Sequence, residues 1–301
     1  MVVTDCGKRR LDLHNATMPF VVCSAGLWIM IDREYSPFTL LGDVWRHRQL
    51  LRRLIERDVA TRFRGSVLGK VWIILTPLVM LALYTFVFGV IFQPRWPGAV
   101  QRPSKVALYY FAGLIVFEFF MECINRAPTL MLAHVTYIKK VLFPVELLAW
   151  MVVGGAALRF IIGCLLLVVL YVVLNGMPPA TAMAVPLLVL PLALFAIGFV
   201  WFLSAIGVFI RDAGPVVIAV TPVVMFLSPI FFPIAAIPAQ YQVIFYANPL
   251  TLALEDVRAA LFAGSVEISL GFGVYCLCAW VFAQMGYYCF RKLRPSFADV
   301  I

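Results

Sequence analysis

LLRRLIERDVATRFRGSVLGKVWIILTPLV, residues 50–79, changes character halfway along. Arginine crowds its first half, and charge disappears after Lys70. The seam, GSVLGK, has the outline of a phosphate-binding loop but not its chemistry. Such a loop needs two glycines with four residues between them, then Lys and a Ser or Thr, so that backbone amides, ammonium and hydroxyl converge on a nucleotide and its Mg²⁺. Here Gly65 and Gly69 enclose three residues, and Val71 follows Lys70. The seam is therefore an elbow at which a basic helix turns into an apolar span.

The basic half predicts an amphipathic helix over residues 45–65. Leu50, Leu51, Leu54, Ile55, Val59 and Phe63 fall on one stripe, and Arg46, Arg48, Arg52, Arg53, Arg57 and Arg64 occupy most of the remaining face. A helix of this kind lies in a membrane interface, and Trp45 suits headgroup depth.

Composition extends the membrane reading to the whole chain. Of 301 residues, 63% are hydrophobic and 13% charged, against about 45–50% and about 25% in soluble domains. Too little polar surface remains to cover a water-soluble globule of this size. The net charge of +9 is expected from Lys and Arg gathered on the cytoplasmic side of a membrane, and no nucleic-acid partner is expected.

Long apolar runs occupy about 67–92, 106–125, 142–174 and 183–210, then a run from Gly214 and a last one at about 268–290. The run from Gly214 is punctuated by Pro222, Pro229, Pro233 and Pro238, too many for one straight helix. Between it and the last run, NPLTLALEDVRAALFAG begins like a helix at Asn248-Pro249 but carries Glu255, Asp256 and Arg258. A segment that re-enters the membrane, or lies at its outer surface, fits better than a full crossing. The expected fold is an all-α polytopic membrane protein with about six transmembrane helices, an N-terminal interfacial helix, and a re-entrant extracytoplasmic hairpin before the last span. Placement of Lys and Arg, with Arg126, Lys139, Lys140, Arg211, Arg291, Lys292 and Arg294 on the same side as the basic helix, puts both termini inside. Residues 1–44 read as a cytoplasmic or interfacial extension, its 13-residue apolar run being too short to span, and 291–301 as a short cytoplasmic tail.

Catalytic chemistry is not written in the chain. The seven cysteines form no CxxC pair, the three histidines do not cluster, and no HExxH or nucleophile elbow occurs. No catalytic residue and no metal site is expected. Glu118, Glu122 and Arg159 lie within or near apolar runs, where insertion costs about 2.5–3.5 kcal/mol each, so a paired or lumen-facing position is expected. Glu118 and Glu122 share a helix face one turn apart; they suit acid–base work or a hydrated helix end equally. Tyr84, Phe88 and Phe92 recur every four residues, and Tyr109, Tyr110 and Phe117 stand in an aromatic-rich second run. Such rings either stack on sugar faces or pack as lipid-facing bulk and an interfacial belt.

LIERDVATRFRGSVLGKVWIILTPLVMLALYTFVFGVIF, KKVLFPVELL at 139–148, RDAGP at 211–215 and SPIFFPIAAIPAQYQVIFYANPLT at 228–251 occur in an order that resembles the ABC-2-type permeases of polysaccharide export, especially the O-antigen class. The resemblance covers residues 35–301 and makes 66–290 the ABC-2-type transmembrane domain. It implies a homodimeric permease in the bacterial inner membrane. Two separate ABC ATPase subunits would bind ATP and Mg²⁺, so that this chain holds no cofactor of its own, and a lipid-linked glycan such as O-antigen, capsule or teichoic acid would pass outward among membrane lipids. By the same resemblance Arg52, Arg53, Arg57, Asp58, Arg62, Arg64, Lys139 and Lys140 are expected to face the ATPase or anionic headgroups. Tyr84, Phe88, Phe92, Tyr109, Tyr110 and Phe117 would line the channel, and Glu255, Asp256 and Arg258 would stand near the external exit.

Overall fold

A computed structural model describes residues 39–62, 69–84, 86–87, 103–138, 143–266 and 269–300. Helices dominate, and no strand occurs among the described residues. In chain order they are α1 (Thr39–Arg46), α2 (Arg48–Arg62), α3 (Trp72–Tyr84), α4 (Pro103–Arg126), α5 (Leu130–Ala133), α6 (Val135–Ile138), α7 (Leu147–Asn175), α8 (Val185–Phe209), α9 (Ala213–Phe226), α10 (Ala239–Tyr246), α11 (Pro249–Arg258), α12 (Leu270–Leu293) and α13 (Phe297–Val300).

Four helical stretches are long and apolar enough to cross a membrane: Val106–Arg126, Leu147–Asn175, Ala180–Phe209 and Leu270–Ser296. Two more expected spans exist as shorter apolar helices. As described, α3 and α9 reach about 20 Å, against a hydrocarbon core of about 30 Å. In α9 the cause is visible. The helix ends at Phe226, and Pro229 and Pro233 keep the backbone irregular up to a 3₁₀ turn at Ile234–Ala236. The rest of the first run, including Phe88 and Phe92, lies outside the described residues.

The expected basic helix divides in two. A turn at His47 separates α1 from α2, so Trp45 and Arg46 belong to the earlier helix. Arg48 holds this corner, donating from Nη1 to the Trp45 carbonyl at 3.3 Å while its guanidinium lies 5.1 Å from the Trp45 ring centre. The apolar stripe faces inward as the sequence requires: Leu54 is buried, and Leu50, Leu51 and Ile55 pack against the core.

The core is built around α4. Of its apolar window 78% is buried inside the protein, against 17% of that of α7. Helices α3, α7, α8, α9 and α11 all pack on α4, and α2 lies along α7. Small residues set the closest approaches. A Cβ on Gly286 of α12 would strike the Gly198 backbone of α8, so these two helices cross backbone to backbone. Where α2 meets α7, Ile55 fills the space that a Cβ on Gly154 would occupy.

The segment after α9 is held by side chains. Ser228 Oγ donates to the Val224 carbonyl at 2.7 Å, and Asn248 Nδ2 donates to Ser228 Oγ at 2.9 Å. The Asn248 side chain also caps α11, accepting from the Leu250 amide at 3.0 Å, with Pro249 at the first helical position.

Candidate functional site

Two groups of charged residues lie towards the two ends of α4, separated by about 20 Å along the helix. At its C-terminal end, α2, α4 and α7 converge on five of them. Arg126 grips Asp58 with both terminal nitrogens, Nη1 to Oδ2 at 2.9 Å and Nη2 to Oδ1 at 2.5 Å. Glu122, one turn earlier on α4, accepts from Arg159 of α7 in a second bidentate pair, with Nε to Oε2 at 2.5 Å. Arg62, the last residue of α2, reaches the same carboxylate at 2.6 Å, and Arg126 lies 3.9 Å from it. Gly155 makes room, for a Cβ there would stand 3.2 Å from Asp58 Oδ2 and 3.8 Å from Arg159 Nη2. Arg159 is thus neutralised by a paired carboxylate, one of the two positions its sequence context allows. Burial lowers the Arg62 pKa from its ordinary value, with the nearby Arg126 charge adding to the effect and Asp58 opposing it.

The faces of α2 therefore have different roles. Asp58 and Arg62 turn inward and join α2 to α4 and α7. Arg52 and Arg53 are exposed, and Arg52 pairs with Glu56 one turn on at 2.8 Å. Arg57 is exposed and donates to the Tyr137 hydroxyl at 2.9 Å, linking α2 to α6. Arg64, Lys139 and Lys140 lie outside the described residues.

At the N-terminal end of α4, Arg258 is 2% exposed. Its Nη1 and Nη2 donate to the carbonyls of Pro229 and Ile230 at 2.5 and 2.7 Å, capping the irregular backbone after α9. The guanidinium also lies 4.3 Å from the ring centre of Tyr109 and 3.9 Å from Glu255. Gly113 admits it, since a Cβ there would sit 2.7 Å from Arg258 Nη2. Arg258 thus ties α11 to the segment after α9 from within, while Glu255 and Asp256 are half-buried. Burial raises the Glu255 pKa, and the Arg258 charge opposes the rise.

The aromatic residues divide in the same way. Tyr109 is half-buried under Arg258, while Tyr110 and Phe117 are buried between helices of the chain. Tyr110 packs against Phe231, with ring centres 6.1 Å apart. Tyr84 closes α3.

Several partnerships gave no sequence signal. Asn125 accepts from the Thr221 hydroxyl at 2.7 Å, joining α4 to α9. Glu146, at the start of α7, accepts from Arg294 at 2.6 Å and fastens the end of α12 there. Only the rarity of acids in apolar surroundings distinguishes Glu146, and only a paired structure names its partner.

Residues 49–262 match the family model described as ABC-2 type transporter. The chain belongs to that family. As a member it is a multi-pass membrane protein of a transporter family. It is 24% identical over 280 residues to the O-antigen export system permease protein RfbA of Myxococcus xanthus, covering 87% of this chain and 99% of that protein. It is 23% identical over 255 residues to a Klebsiella pneumoniae protein of the same name, covering 84% of this chain and 95% of that protein.

Proposed function

We propose that this chain is the permease subunit of an ABC exporter that carries a lipid-linked polysaccharide, O-antigen or a glycan of that class, from the cytoplasmic to the outer face of the bacterial inner membrane. The observation that carries this reading is the near end-to-end match to export permeases named for O-antigen. ATP is hydrolysed on two separate ABC subunits, and two copies of this chain enclose the path.

In this reading the six spans include α3 and α9, both termini are cytoplasmic, and the α10–α11 hairpin is external. The exposed Arg52, Arg53 and Arg57 face the ATPase, together with Lys139 and Lys140. The ion pairs beneath them supply the coupling. A push on α2 is transmitted through Asp58–Arg126 to α4, and through Arg62–Glu122–Arg159 to α4 and α7. Bidentate pairs resist shear better than single contacts, because both donors must be lost together. On the outer side, Tyr84, Phe88 and Phe92 offer stacking faces to sugars as the chain leaves past Glu255 and Asp256.

The test is to delete the gene and locate the host's lipid-linked glycans on either side of the inner membrane. Glycan that is made but retained on the cytoplasmic side is the expected result. Glycan that is not made, or is exported normally, overturns the reading.

A further inference from the structure

Beside the ion-pair cluster lies a cavity of about 360 Å³ between the end of α2 and helices α3, α4 and α7. Its charged lining is Arg62, Arg159, Glu122 and Glu118. The cluster at its edge holds three guanidinium groups, of Arg62, Arg126 and Arg159, against two carboxylates, of Asp58 and Glu122, and so carries one positive charge in excess. Arg159 Nη1 is enclosed and has no hydrogen-bond partner among the described residues. Glu118, one helical turn from Glu122, lines the same cavity and enters no ion pair among the described residues. The cavity therefore borders a cluster with one positive charge in excess and, among the described residues, a carboxylate without an ionic partner.

That pattern selects its ligand. A purely anionic group would balance the excess charge of the cluster but face Glu118, and a purely cationic one would face the guanidinium excess. A group carrying one phosphate and one ammonium satisfies both, and each contact is a charge-assisted hydrogen bond. Apart from Thr76 the remaining lining, Trp72, Ile73, Pro77, Ile115, Phe119 and Phe160 among it, is apolar and suits the first methylenes of an acyl chain. The position fits a lipid too, since Glu122 and Glu118 lie one and two turns inside the end of α4 and Trp72 suits headgroup depth. We infer that this cavity binds the headgroup of a zwitterionic phospholipid of the ethanolamine type, with the phosphate on Arg159 and Arg62 and the ammonium on Glu118. The inference goes beyond the export reading and does not depend on the cargo, because binding is read without transport.

The full chain, purified in detergent, is titrated with dioctanoyl-phosphatidylethanolamine, dioctanoyl-phosphatidylglycerol and free O-phosphoethanolamine, with binding followed by thermal shift. Phosphatidylethanolamine is expected to bind about tenfold tighter than phosphatidylglycerol, the worth of one charge-assisted hydrogen bond. Glu118→Gln, an isosteric change on an exposed side chain, is expected to bring the two lipids within about twofold while leaving the unliganded melting temperature unchanged. Equal affinity of the wild type for the two lipids, or a preference that survives Glu118→Gln, overturns the site. O-phosphoethanolamine binding as tightly as the lipid assigns the cavity to a soluble phosphoamine and overturns the lipid assignment. These outcomes stand apart from those of the gene deletion, which reads glycan location alone.

Discussion

The two ends of α4 solve one problem in different ways. Both hold a guanidinium among apolar helices, and both set a glycine against the polar group. Around Arg258 the partners are mainly backbone carbonyls, which are neutral and fixed in place, so the arginine serves the backbone and stabilises a stretch that could not otherwise be buried. Around Arg159 and Arg126 the partners are carboxylates on other helices, which link rigid elements and leave the backbone alone. The first arrangement fixes a local shape, and the second ties separate helices to one another.

The contrast is broken most severely at Arg258. Arg258→Ala strands two carbonyls and should cost about 3–6 kcal/mol, the sum of two hydrogen bonds to a charged donor. Arg258→Lys should recover only part, since an ammonium lacks the planar fork that reaches both oxygens. Unfolding by SDS in mixed micelles reads both, and wild-type stability for the alanine variant would remove Arg258 from its structural role.

The next effect belongs to the other end. Asp58→Asn and Arg126→Gln should each cost about 2–3 kcal/mol, less than a fully buried pair because Arg126 remains partly exposed. The double variant should be less destabilised than the sum, with a coupling of about 1–3 kcal/mol. Strict additivity in the same unfolding assay would mean that the pair does not join α2 to α4.

The two glycines give the smallest and sharpest test. Gly113→Ala should cost about 1–3 kcal/mol by crowding the pinned Arg258. Gly155→Ala meets the end of a side chain that can give by a few tenths of an ångström, and the gain in helix propensity, about 1 kcal/mol, offsets the crowding. Its expected change is near zero. Equal effects at the two positions would erase the distinction between a fixed and a yielding partner.

Much of this was legible in the sequence, and particular residues show where legibility stopped. The apolar stripe of α2, the four long spans and the proline-broken segment after α9 follow from periodicity and from the backbone chemistry of proline. The division at His47 does not, because periodicity continues through it and only the carbonyl of Trp45, satisfied by Arg48, marks the break. That Arg159 needs a partner was readable from the cost of its charge. That the partner is Glu122 was not, because 37 residues separate them and pairing is decided by how α4 and α7 pack. Arg258 was least legible: one arginine beside two acids suggests a wet surface, and its buried seat depends on carbonyls that any residue supplies.

The crossing of α8 and α12 at Gly198 and Gly286 limits which parts can move. Side chains between helices act as springs, switching rotamers to absorb small shifts, but peptide planes in contact have no such freedom. The two helices should therefore tilt together as one strut, braced at its far end by Arg294 on Glu146. Any relative movement of helices then falls to elements outside that strut.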